Sequence, residues 1–282
     1  MRWRLSEQVL REEAELDQAG AKNGEALMLH IRQVSLVGTQ RSFSLLCNHG
    51  SFKHSAFAAI LGDGSVWGGD SSSIEHKLND VQQIRAAHGA FAAIRKDRSV
   101  VSWGDAEWGR DSSSVNRQLK GAQQIQATNH AFAAILADGS VVTWGDGTWG
   151  GDSSSVMEQL KGVQQIQATA GAFGAIRNDG FVVSWGDHDW GGNSSSFKQR
   201  LKDVLQIQAT HNAFAAICSD GSVVCWGNSD GGGDSSSVTE QLKGVQQIQA
   251  TNCAFAAILR DGSVLSWGNR RGVVTAVPSN VS

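Results

Sequence analysis

Tyrosine is absent from this chain of 282 residues and proline occurs once, as Pro278, although ten tryptophans and 33 glycines are present. A single proline excludes rigid proline-rich linkers, while the glycines suit many tight turns. The aromatic imbalance follows from the copying of one ancestral unit and has no functional message of its own. Charge of one sign is not in excess: the net charge is -3 and the pI near 6.2, which leaves no basic footprint, so nucleic acid is not an expected partner. No segment approaches the roughly 18 apolar residues of a membrane helix, and no membrane partner is expected. The N-terminus, Met1-Arg2-Trp3-Arg4-Leu5, runs into Glu7, Arg11, Glu12 and Glu13 without the apolar stretch of a signal peptide.

What is there instead is repetition. A phenylalanine in an Ala-Phe-(Ala/Gly)-Ala-Ile context returns every 41 residues, at Phe91, Phe132, Phe173, Phe214 and Phe255. A Trp-Gly pair follows in step, led by Trp103, Trp144, Trp185, Trp226 and Trp267. A fixed period of this length, with short alternating runs and glycine turns, marks a propeller or a related β-repeat array. The four cysteines, Cys47, Cys218, Cys225 and Cys253, fall where other copies carry ordinary residues. That argues against a disulfide framework and for an intracellular home, cytoplasmic or nuclear.

One unit spans residues 122 to 162. Ala122 to Thr128 alternates apolar and polar side chains as a half-buried strand does (strand a). Ala131 to Leu136 supplies strand b, whose small residues let neighbouring sheets approach while Phe132 and Ile135 fill the gap. Asp138-Gly139 predicts a two-residue type I′ turn into strand c, Val141 to Trp144. Ser155-Val156-Met157-Glu158 has the form of a capping box and Gly162 that of a helix stop, which predicts a short helix in the return segment. Such a unit cannot stand alone. Burial of its large apolar side chains is worth roughly 1.5 to 3 kcal/mol each, against about 1 to 2 kcal/mol for ordering every residue's backbone.

The period breaks at the N-terminal side. Residues 57 to 80 match the unit only with Val142 through Thr148 deleted, which aligns Trp67 with Trp149, and Val34 to Leu46 is a degenerate copy of strands a and b with Phe43 in the phenylalanine place. Residues 34 to 80 therefore read as one irregular first blade with an inserted loop near Cys47 to His54. The expectation is an all-β protein: a propeller of six or seven blades over 34–282, as a closed ring or an open arc, after an N-terminal segment over 1–33. Within that segment Leu5 to Leu16 has helical spacing, and Gly24 to Arg32 resembles the last strand of a ubiquitin-like β-grasp domain, as a remnant of one.

The Asp-Gly-Ser-Val-Val-Thr-Trp-Gly-Asp and Ala-Phe-Ala-Ala-Ile units resemble regulator-of-chromosome-condensation-type repeats, and in compactness those of the type II β-lactamase inhibitor proteins. The resemblance spans residues 34 to 270 and implies a propeller. It also brings a choice of functions: exchange factors for small GTPases, propeller parts of HECT ubiquitin ligases, and protein inhibitors of enzymes. Neither a HECT-like region nor a nucleotide-prying insertion is present in this sequence. The leading expectation is a non-enzymatic, monomeric scaffold for a protein partner; a ubiquitin-pathway or GTPase-regulating role is the alternative.

Two windows vary most between copies. One joins strands a and b and contains His88, Asn129, His130, His211, Asn212 and Asn252. The other follows strand c and contains Glu107, Thr148, His188, Asp189, Asp230, Arg270 and Arg271, with Trp108, Trp149 and Trp190 beside it. Strand order places both windows on one face and the Asp-Gly turns on the other. Variable loops on one side of a rigid array are how such scaffolds meet protein partners, so these sixteen residues are the candidate protein-binding set. Neutral drift in exposed loops is the competing explanation. No catalytic residue, cofactor or metal site is expected: His88, His130 and His211 belong to different blades, and Asp152-Ser153-Ser154-Ser155 lacks a recurring base.

Overall fold

A computed structural model describes residues 35–38, 57–60, 64–68, 74–105, 109 and 111–269. They form six three-stranded antiparallel sheets, each from three consecutive strands in the order a, b, c. Blade 1 pairs Ser35–Gly38, Phe57–Ile60 and Val66–Gly68. Blades 2 to 6 repeat one pattern, seen in blade 4 as Val163–Ala168, Ala172–Arg177 and Val182–Gly186. The protein is an all-β propeller with six described blades. Its irregular first blade has the expected short strand c, but takes the Phe57 copy as strand b, and Trp67 lies opposite Ala59, the register place that Val142 holds opposite Ala134. The strand simply continues there, so the alignment of Trp67 with Trp149 does not hold. Phe43, the loop near Cys47 to His54 and the segment 1–33 lie outside the described residues.

The repeated residues build a core between blades rather than within one. In blade 4 Phe173 faces Trp185 across the b and c strands, the rings stacked at 5.2 Å, and both are buried. This pair packs with Ala131, Ala133 and Ile135 of blade 3 in one cluster, while Ala172 and Ile176 point the opposite way into the cluster shared with blade 5. Alternation along a strand buried on both faces therefore gives each blade an aromatic side and a small side. Small residues on one blade make room for the neighbour's phenylalanine; a Cβ at Gly174 would stand 3.2 Å from the Phe214 ring.

Two expectations for the connections are corrected. The Asp-Gly turn is a three-residue hairpin loop, with Gly139 N–H donating to Leu136 O and Leu136 N–H to Ser140 O, both at 2.9 Å. This is a type I turn followed by one left-handed residue, so only Gly139 (φ 77°) takes positive φ, and Asp138 instead accepts from Ser140 N–H at 2.9 Å. The return segment forms short 3-10 turns, Ser154–Gln159 and Ser195–Phe197, in place of a capped α-helix. Asp152 takes the first free amide, accepting from Ser154 N–H at 2.9 Å, and Glu158 turns away to Lys161 at 2.7 Å. With the turn already begun at Ser154 and Glu158 engaged by Lys161, the Ser155 capping box does not form.

Candidate functional site

The two windows come together on one face, held there by backbone. Asp146 N–H donates to His130 O at 3.0 Å, and the same bond joins Asp187 to Gly171 and Asn228 to Asn212. Threonine pins the windows a second time: Thr128 Oγ1 donates to Trp149 O at 3.0 Å and accepts from Ala131 N–H at 3.0 Å, with Thr169 and Thr210 doing the same one and two blades on. Each turn after strand c is stiffened by an Asx cap, Asp146 to Thr148 N–H and Asp187 to Asp189 N–H at 2.8 Å, and Asn228 to Asp230 N–H at 2.9 Å. The recurring threonine and Asp/Asn were visible as repeats in the sequence, and their pinning role was missed.

A backbone tape crosses the blades along this face. His88 N–H donates to Asn129 O, Asn129 N–H to Ala170 O and Ala170 N–H to His211 O, each at 2.8 Å, and His211 N–H to Asn252 O at 2.9 Å. Loop residues 41 positions apart are thereby locked in line, an arrangement that no local pattern in the sequence announces.

Along the tape lies a row of rings. His88 stacks on His130 at 6.1 Å between centroids, His130 meets Trp149 at 4.4 Å, Trp149 meets Trp190 at 5.8 Å, and Trp190 meets His211 edge-on at 4.9 Å. Trp149 and Trp190 are half-buried: their inner sides pack on the inter-blade clusters. Each indole thus packs inward on one side and keeps an accessible side. Desolvation lowers the pKa of His211 below the ordinary imidazole value.

The remaining candidates distribute unevenly. Thr148, His188, Asp189, Asp230 and Asn252 are exposed, and His188 Nδ1 lies 3.7 Å from Asp189 Oδ1. Asn212 is half-buried, where a Cβ on Gly231 would overlap its side-chain amide. Asn129 is 8 % exposed and offers a partner little more than the tape. Glu107, Trp108, Arg270 and Arg271 lie outside the described residues. Among the described window residues the formal charges are carboxylates, Asp105, Asp146, Asp187, Asp189 and Asp230, with no lysine or arginine. The opposite, Asp-Gly turn face is mixed, carrying Arg95, Lys96, Arg98, Arg177 and Arg260 beside its aspartates.

Two of the three described thiols, Cys218 and Cys225, are buried and have raised pKa values. Cys218, Cys225 and Cys253 are free, and burial pushes the Cys225 thiol up to about 12, so it stays protonated at neutral pH. No helix among the described residues is long and apolar enough to cross a membrane.

No family model and no curated protein matches the sequence. Solved structures do match the fold. The CRINKLY WD40 ectodomain of the Arabidopsis thaliana receptor kinase ACR4 aligns over 84% of this chain and 85% of its own, at 16% identity and TM-score 0.50. The entire ectodomain of the Physcomitrella patens receptor kinase CR4 aligns over 88% of this chain and 66% of its own, at 15% identity and TM-score 0.50. Yeast RCC1 (Prp20), in complex with Kap60, aligns over 69% of this chain and 59% of its own, at 17% identity and TM-score 0.46. Together with the six three-stranded sheets, the two ectodomains support a propeller of the kind that the repeats resemble, at the level of fold alone.

Proposed function

We propose that this chain is a non-enzymatic scaffold that binds a protein partner through the window face. One observation carries the reading: a continuous row of half-exposed or exposed rings, His88 to His211, spans blades 2 to 5 on a surface that backbone bonds hold rigid. Rigid aromatic side chains with one packed and one open side are the usual anchors of protein interfaces, since they bind without loss of rotamer freedom. The exposed candidates Thr148, His188, Asp189, Asp230 and Asn252 form the polar surround, with Glu107, Trp108, Arg270 and Arg271 as its proposed continuation. The protein acts as a monomer inside the cell, a setting consistent with the free thiols among the described residues.

The test replaces residues 129–130, 147–149 and 188–190 with Gly-Ser segments and compares partner capture by affinity purification. A thermal melt confirms that the array still folds. Loss of specific partners supports the window face; an unchanged set of partners, or the same partners lost on exchange of the Asp-Gly turns instead, places binding elsewhere.

A further inference from the structure

We infer that the aromatic row takes an extended, arginine-bearing segment of the partner, an inference that rests on the window face being the binding face. The row presents imidazole and indole rings at centroid spacings between 4.4 and 6.1 Å. Aromatic faces attract cations, and the planar guanidinium adds stacking that an ammonium lacks. Desolvation lowers the pKa of His211, which favours the neutral ring at that end of the row. Beside it stand Asp187, Asp189 and Asp230 with no described lysine or arginine in either window. The described basic side chains of the turns sit on the opposite face. An aromatic floor with a carboxylate rim is complementary to arginine on both counts, and repels an acidic segment.

The geometry also selects an extended chain. The tape keeps successive blades in line and leaves the row lying across the surface. Alternate side chains of a strand are about 6.5 to 7 Å apart, close to the 5.8 Å between Trp149 and Trp190. Arginines at i and i+2 therefore lie over Trp149 and Trp190, with the intervening side chain facing solvent.

The experiment titrates the full chain into a fluorescein-labelled (Arg-Ser)4 peptide and reads anisotropy, with (Lys-Ser)4, (citrulline-Ser)4 and (Glu-Ser)4 as matched peptides. The arginine peptide is expected to bind, the lysine peptide several-fold more weakly, and the neutral citrulline and acidic peptides at least about tenfold more weakly. Asp189→Lys/Asp230→Lys changes two exposed side chains, so its thermal melt should match the parent while arginine-peptide affinity falls about tenfold or more. Absence of arginine-peptide binding, equal binding of the lysine peptide, or full binding by the folded double variant overturns the inference. If the window-exchanged chain loses its partner while the parent ignores the arginine peptide, the scaffold reading stands and this one falls.

Discussion

The indole N–H of Trp185 donates to the carbonyl oxygen of Gly150, 3.0 Å away in the turn that follows blade 3. Trp226 reaches Gly191 and Trp267 reaches Gly232 in the same way, at 3.0 and 3.1 Å. In blades 4 to 6 the repeated tryptophan thus reads the end of one blade from the core of the next, a bond that Trp103 and Trp144 do not make among the described residues. Gly150 is fit for that contact because its φ is 94° and a Cβ would stand 2.7 Å from the Phe173 ring. A scaffold residue and a window turn are in this way one mechanical unit.

Trp185→Phe should therefore loosen more than packing. The variant strands a buried carbonyl, at a cost of about 1 to 3 kcal/mol, and leaves part of the indole space empty. Urea unfolding should show a lower midpoint than in the parent. In a repeat array the loss falls on the junction of two neighbouring blades, so amide exchange should accelerate most in blades 3 and 4. A midpoint equal to the parent's would remove the indole bond from the account of stability.

Arg98 offers a gain in the other direction. It occupies the left-handed hairpin place, with φ 65°, where the later blades have Gly139, Gly180, Gly221 and Gly262. A side chain in that region costs about 1 to 2 kcal/mol, partly offset by the extra freedom glycine has when unfolded. Arg98→Gly should stabilise by about 0.5 to 1 kcal/mol, measured as a raised melting temperature. The backbone bond from Ala122 N–H to Arg98 O, 3.0 Å, asks nothing of the side chain and should persist.

Much of this architecture was legible because it is periodic. Phe173, Trp185 and the alternation of Val163 to Ala168 define strands and core in any single copy, and five copies agree. The turn type was not, because Asp-Gly serves both a two-residue and a three-residue loop, and register alone separates them: Ile135 pairs with Val141, which leaves room for Ala137, Asp138 and Gly139. The helix cap failed for a related reason, since the Asp152 turn starts the segment at Ser154 and Glu158 accepts from Lys161 rather than from the Ser155 amide. The placement of both windows on one face followed from strand order. The ring row did not, because its members come from different blades and meet only once the tape from His88 to Asn252 has set the blades side by side.

His211 gives the fold a modest pH dependence of known sign. Desolvation lowers its pKa in the folded state, so below the unfolded value of about 6.5 the unfolded chain takes up the proton first. Its contribution is full above that value and is lost as pH falls towards the folded pKa. His211→Asn removes the group, so the stability of the parent relative to this variant should decline between pH 7.5 and 5 in paired thermal melts. A difference that is constant over the range would show that the imidazole is equally protonated in both states.

Differences between copies are themselves coupled, and an exchange between blades tests this. In blade 4 the position before strand b is Gly171, and Trp190 packs over it: a Cβ there would stand 2.8 Å from the indole. In blade 5 the equivalent pair is Asn212 and Gly231, where the amide takes the space and a Cβ on the glycine would collide with it. Each pair is complementary as placed in its own blade; blade 3 fits His130 beside Trp149 at the same two places, so it is the position of Trp190 over Gly171, and not tryptophan as such, that leaves no room for a side chain there. Gly171→Asn alone should destabilise by about 1 to 3 kcal/mol through overpacking, and Trp190→Gly alone should cost the burial of an indole. The double variant, which recreates the blade 5 pair, should be more stable than the sum of the singles by about 1 kcal/mol or more in a double-mutant cycle of urea unfolding. Simple additivity would mean that these window residues vary independently, as drift in exposed loops would have it.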